Sequence, residues 1–157
     1  MSVRVFADTS ALLAMVVFPH DQAGNPSLAG EVLSLYVEGK FELILAQAVV
    51  DELDEVLYAR FPDHWLEAAT LLRPHAEQFV RRPTPAEITA VLPFSADPFD
   101  APIFASALIA QPDIVLSNDF RAFHTPQAKL LWQERGITVK SLYGLLCVFG
   151  LRERKGD

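Results

Sequence analysis

The chain has 157 residues, 51% of them hydrophobic and 21% charged, a composition that points to one folded domain with a substantial core and excludes a disordered chain. Its 20 acidic and 13 basic residues leave a net charge of −7, which argues against broad, non-specific nucleic-acid binding but not against an enzyme that meets phosphate through a bound cation. The single cysteine, Cys147, allows no internal disulfide; it lies in the apolar run Leu145-Leu146-Cys147-Val148-Phe149, reads as a buried core thiol, and fits a reducing, cytoplasmic setting.

Val3 to Ala7 is a short apolar run and predicts a strand. Asp8-Thr9-Ser10 then supplies N-cap chemistry for a helix from about Ala11. The longest apolar run, Ala11 to Phe18, is too short to span a bilayer. Asp8 interrupts the N-terminal apolar stretch and no convincing small-residue cleavage site follows, so neither export nor membrane insertion is expected. His20 to Pro26 predicts a loop, Leu28 to Val37 a helix ending near Gly39, and Phe41 to Ala46 a second strand. Gln47 to Arg60 predicts a helix with Val49, Leu53, Val56 and Leu57 on one face. Asp51, Asp54 and Glu55 fall opposite, and Glu52 falls at the border of the apolar stripe, where it can reach a cleft edge.

Pro62 to Leu72 predicts another helix, Pro74 to Pro85 a mixed stretch with an extended segment around Phe79-Val80, and Ala86 to Leu92 a short helix. Pro102 is tolerated only in a first helical turn, which places Asp100 at the mouth of a helix over Ala101 to Ala110. That helix is apolar nearly all round and is expected to be buried on more than one side. Asp113 to Leu116 predicts a third strand running into Ser117-Asn118-Asp119; Pro126 to Arg135 predicts a helix stopped by Gly136, and Ile137 to Val139 a fourth strand. Ser141 caps a final helix that leads to the basic tail Arg152, Arg154, Lys155. Strands separated by helices predict parallel pairing through right-handed crossovers.

Four acids fall into one pattern. Asp8 follows the first strand, Asp119 follows the third, Asp100 opens the helix that feeds the third, and Glu52 approaches from the helix after the second. Sites in open parallel sheets form beyond the carboxyl ends of strands, where Asp8 and Asp119 would project. Two unit charges at ~4 Å repel by about 4 kcal/mol at an effective dielectric of 20, and a domain's whole stability is only ~5–15 kcal/mol. Converging acids therefore call for protons or a cation, and all-oxygen ligation suits Mg²⁺ or Mn²⁺ and not zinc. His20, His64, His75 and His124 are scattered, lack ligand spacing, and read as surface or structural residues. Each acid also has a plain structural role: Asp8 and Asp100 as N-caps, Asp119 as a turn residue, Glu52 as a solvated helix acid.

Four segments carry a family resemblance. They are Val5-Phe6-Ala7-Asp8-Thr9-Ser10-Ala11-Leu12-Leu13, Val50-Asp51-Glu52-Leu53-Asp54-Glu55-Val56-Leu57, Asp97-Pro98-Phe99-Asp100-Ala101-Pro102-Ile103 and Val115-Leu116-Ser117-Asn118-Asp119-Phe120. In this order the chain resembles PIN-domain proteins, including the VapC-type toxins of bacterial toxin–antitoxin pairs, over nearly its whole length. The resemblance implies a single PIN-like domain over residues 1–157, an α/β fold of three layers, α/β/α, around a central, mainly parallel sheet of four to five strands. It implies metal-dependent hydrolysis of phosphodiester bonds, usually in RNA, with Asp8, Glu52, Asp100 and Asp119 as catalytic metal ligands and Asp97 as an auxiliary ligand. A Mg²⁺ or Mn²⁺ held there would activate water and offset charge on the leaving oxygen. Ser10 and Ser117 are then cast as groups that orient the carboxylates, beside their ordinary roles in capping and turns.

The resemblance also brings a homodimer and a cognate antitoxin peptide across the groove as partners besides RNA; the residues themselves leave both open. Arg81-Arg82 and Arg121 are candidates to guide a phosphate backbone, against a plain reading as solvated charges. No RNA-stacking aromatic motif stands out, and most of the Phe residues fit the core. Two other readings stay open: a PIN-like scaffold that binds RNA or protein without cleaving, and a phosphohydrolase using Asp8 as a covalent nucleophile, which lacks a second Asp two residues on.

Overall fold

Four short runs make the strands: β1 (Val3–Ala7), β2 (Phe41–Ile44), β3 (Ile114–Leu116) and β4 (Thr138–Lys140). The computed structural model describes residues 2–75 and 79–154. The strands pair only in parallel, in the order β2-β1-β3-β4. Val5, Phe6 and Ala7 of β1 and all of β3 are buried, as expected of central parallel strands covered on both faces. The helices α1 (Thr9–Val17), α2 (Leu28–Val37), α3 (Gln47–Arg60), α4 (Trp65–Leu72), α5 (Pro85–Val91), α6 (Ala101–Ala110), α7 (Phe120–Phe123), α8 (Pro126–Glu134) and α9 (Leu142–Val148) complete an α/β/α arrangement of three layers. Among the described residues, no helix is long and apolar enough to cross a membrane.

The expected sheet of four to five strands is met by four strands and one bridge. β2 stops at Ile44, and Ala46 instead pairs in parallel with Val80. Val80 N donates to Leu45 O (2.9 Å) and Gln47 N to Val80 O (2.9 Å), so the extended segment around Phe79-Val80 touches the edge of the sheet without lengthening it. Residues 76–78 of the mixed stretch and Lys155 of the basic tail lie outside the described residues. The helix expected over Pro62 to Leu72 divides into a 3-10 turn, Pro62–His64, and α4. α7 was not expected, because four residues are too few to show a helical period.

Helix α6 is buried nearly all round, as its composition predicts, with Ile103, Phe104 and Ala107 in the core. Phe104 sits 4.8 Å from Phe123 and 5.0 Å from Trp132, ring centre to ring centre. Trp132 Nε1 donates to Phe123 O at 3.1 Å, which satisfies the one polar atom of the buried indole. This cluster ties α6, whose mouth carries Asp100, to α7, which starts beyond Asp119, and to α8. Phe104→Ala should therefore cost about 3–5 kcal/mol in urea unfolding.

Candidate active site

The chain leaves β1 for β2 on one side, while β3 lies on the other, so the strand order reverses between β1 and β3. A crevice at the carboxyl ends of such strands is where open α/β sheets build sites. Ala7 is in register with Leu116, which sets Asp8 beside Ser117. Asp8 N donates to Leu116 O at 3.0 Å, extending the ladder by one residue.

Asp8 is only 3% exposed and is gripped on both oxygens. Ser10 Oγ (2.7 Å) and Ala11 N (2.9 Å) donate to Oδ1, and Ser117 Oγ donates to Oδ2 at 2.6 Å. Ser117 is fully buried, and its Oγ also accepts from Asp119 N at 3.0 Å. Ser10 Oγ accepts a longer bond from Asn118 N (3.4 Å). One run of hydrogen bonds thus joins the end of β1, the first turn of α1 and the end of β3. Burial pushes the Asp8 carboxyl up to about 6, against the pull of its three donors.

The other acids arrive from separate segments. Glu52, on α3, is half-buried, and burial raises its pKa, with Glu55 and Asp119 adding to the rise. Asp100 ends the turn Pro98–Asp100 before α6. Its carboxyl is pushed up to about 6, first by burial and then by the charges of Asp97, Asp119, Glu52 and Asp8. Asp100 therefore lies within electrostatic reach of every other acid that the sequence singles out.

The plain structural roles divide these acids. Asp8 caps α1, Asp119 Oδ1 accepts from Ala122 N (3.2 Å) at the start of α7, and Asp97 Oδ1 accepts from Phe99 N (3.0 Å). Asp100 stands at the cap position of α6 but accepts no capping bond. Glu52 is not a solvated helix acid. Among the described residues, none of the five is in an ion pair; Arg82 pairs with Asp51 at 2.9 Å, and Arg81 with Glu87 at 2.7 Å. Arg121 is exposed.

Three neighbours of the site were not assigned to it from the sequence. Thr9 Oγ1 is buried without a hydrogen bond of ordinary geometry, yet it lies near enough to Glu52 to offset part of the rise in that acid's pKa. Nothing in the sequence separates Thr9 from any first-turn threonine. Asn118 Oδ1 accepts from Leu142 N (2.9 Å) and so ties the site loop to the start of α9. His124 Nε2 lies 2.8 Å from Ser117 O, and its ring packs 4.4 Å from that of Phe120, a structural role as expected.

The donor set fits a hard divalent cation: it is all oxygen, and Asp8 Oδ2, Asp119 Oδ2 and the Asp100 carboxylate keep lone pairs free. Its spacing is open. Among the described residues, no three Asp, Glu, His or Cys side chains are close enough together to hold one ion.

A family model described as PIN domain matches residues 4–121, most of the chain. The chain belongs to the PIN-domain family. PIN domains are generally nucleases, typically work with divalent metals and act on nucleic acid, which agrees with the gathering of acids at the end of this sheet. The matched span includes all four acid-bearing segments, while α8, β4 and α9 of this PIN domain lie beyond it. The chain has no match among curated proteins or among solved structures.

Asp8 and Asp100 should respond oppositely to neutral substitution. Asp8→Ala strands two hydroxyls and a helix N-terminus and should cost about 1–3 kcal/mol. Asp100→Asn removes a charge from among four others without breaking a cap, and should leave the thermal midpoint of the metal-free protein unchanged or higher. Because both carboxyls are raised from 3.8 to about 6, the folded state holds more protons than the unfolded state between those values. Their effect on stability is thus fully favourable below pH 4 and is lost as the pH rises through 6. Midpoints of the metal-free protein measured from pH 7 down to pH 5 should climb, and Asp100→Asn should flatten the climb.

Proposed function

We propose that this PIN domain is a divalent-metal-dependent endoribonuclease that hydrolyses RNA phosphodiester bonds. The observation that carries the reading is Asp100, a carboxylate without a capping bond or ion pair whose pKa is raised first by burial and then by four neighbouring acids. A fold that keeps such a group unpaired loses stability to do so, and a cation-dependent reaction is the compensation that the family supplies.

In this reading Asp8, Glu52, Asp100 and Asp119 would hold Mg²⁺ or Mn²⁺, with Asp97 as an auxiliary ligand, and the ion would draw the carboxylates closer than they stand without it. The bound ion lowers the pKa of water and offsets negative charge on the phosphate. Ser10 and Ser117 hold the Asp8 carboxylate in one orientation, so that its remaining lone pair faces the site at no further entropic cost. Hydrolysis joins a water oxygen to phosphorus and breaks one P–O bond. The proton of the attacking water passes to a carboxylate, and the departing oxygen takes one from solvent.

Covalent catalysis by Asp8 is disfavoured, because a nucleophile with both oxygens hydrogen-bonded and 3% exposure cannot approach phosphorus. The resemblance to VapC-type toxins suggests the toxin half of a toxin–antitoxin pair as the biological setting. Co-expression with the product of an adjacent small gene, and recovery of growth, tests that setting separately.

Purified protein should cleave labelled RNA with Mn²⁺ or Mg²⁺ and not with chelator. Asp100→Asn and Glu52→Gln should each lower kcat/KM by at least about 100-fold. Ser117→Ala should cost about 10- to 100-fold in Mn²⁺ affinity, read by calorimetry. At pH 7, Mn²⁺ at 100 times its Kd should stabilise the fold by about 2.7 kcal/mol. Full activity in Asp100→Asn would sink the reading.

A further inference from the structure

One exposed ring beside the acids has no structural occupation. Phe99 is 87% exposed, on the turn between Asp97 and Asp100. The turn is firm: Asp97 Oδ1 accepts from Phe99 N (3.0 Å), Asp97 O accepts from Asp100 N (3.0 Å), and Pro98 fixes its own backbone torsion. The other exposed phenylalanines have ring partners, Phe120 on His124 (4.4 Å) and Phe18 edge-on to Phe61 (5.7 Å). Phe99 makes no ring contact among the described residues.

Phe99 borders a groove of about 500 Å³ whose apolar part includes Ile88, Pro102 and Ile103. Glu52 lines the same groove, so it is continuous with the acid set. Arg82 lines it too and is fixed by two bonds to Asp51, Nε at 2.9 Å and Nη2 at 3.1 Å. Those bonds use two of the five donors of the guanidinium. The groove thus offers an exposed ring, a guanidinium fixed by Asp51 with three donors to spare, and an acidic edge of Glu52 and Glu55, within the size range of small-ligand sites.

We propose that this groove takes an unpaired nucleotide of the substrate, its base stacked on Phe99 and its phosphate carried toward Glu52 and Asp100. The inference rests on the ribonuclease reading and adds to it one residue of this chain, Phe99, that positions the substrate. A stacked base suits this groove because every base has an apolar face and a phosphate on a short tether. A duplex hides those faces inside its stack and leaves Phe99 nothing to cover.

The test uses a fluorescein-labelled single-stranded oligoribonucleotide and the same strand annealed into a duplex. Binding is read by anisotropy in Ca²⁺, cleavage is followed in Mn²⁺, and Mn²⁺ affinity is read by calorimetry. Wild type should bind the single strand at least about ten-fold more tightly than the duplex. Phe99→Ala should weaken single-strand binding by about 10- to 100-fold, Phe99→Trp should retain it, and both should bind Mn²⁺ like wild type. Single-strand affinity unchanged in Phe99→Ala overturns the stacking platform, as does equal binding of duplex. Cleavage by Phe99→Ala at the wild-type rate and affinity leaves the nuclease reading standing while the platform falls. Phe99-dependent binding without any cleavage in Mn²⁺ does the reverse. Unchanged RNA affinity with loss of a bound protein assigns the ring to a protein contact and also overturns the proposal.

Discussion

The bond from Ser117 Oγ to Asp8 Oδ2 joins two strands that are remote in sequence and adjacent in the sheet. An ionisable group as buried as Asp8 is tolerated only when its oxygens are satisfied, and here the donors come from the end of β3 and the first turn of α1. The parallel register of Ala7 with Leu116 makes this meeting obligatory: shifting β1 by one residue would turn Asp8 to the other face of the sheet. Ser117 in turn accepts from the amide of Asp119 and so positions the next acid. The geometry of the site is therefore a consequence of strand pairing in the core.

From that anchor outward the acids become progressively less supported. Asp8 has three donors, Asp119 and Asp97 each have one backbone donor, and Asp100 has no capping bond. The gradient runs from a group the fold needs to groups the fold only carries. Cations were available to pair with the outer acids, yet Arg82 pairs with Asp51, one residue from Glu52 and on the outer side of the same helix. Pairing Arg82 with Glu52 would have offset part of the negative charge at the site, and it would also have filled the place that the proposed function gives to a divalent ion.

Much of this was legible from residue types and periods. The strands around Val5, Leu43 and Val115 stand out as short apolar runs, and the border position of Glu52 on its helix follows from the spacing of Val49, Leu53 and Leu57. Pro102 located the mouth of α6, because its ring admits only a first-turn position. What stayed hidden was whatever depends on a partner distant in sequence. The end of β2 was set by the bridge from Ala46 to Val80, the tie from Asn118 to Leu142 spans 24 residues, and α7 is too short to show a period. The exposed ring of Phe99 is the sharpest case. In the sequence it is one more phenylalanine, set between Pro98 and Asp100; only the turn that opens α6 shows that it faces solvent.

Net charge brings these features into one argument. A chain of net charge −7 has no general attraction for a polyanion, and the gathered carboxylates repel phosphate unless a cation offsets them. Under the proposed ribonuclease reading, affinity for RNA would come from terms that do not depend on surface charge: a bound ion, the few donors of a fixed guanidinium, and apolar contact with bases. A rigid turn that holds a phenyl ring out of the core, one residue from Asp100, would supply the last of these. On a basic protein such a ring would add little to an affinity already secured by charge. On this one, under the proposed reading, it would supply affinity that surface charge does not.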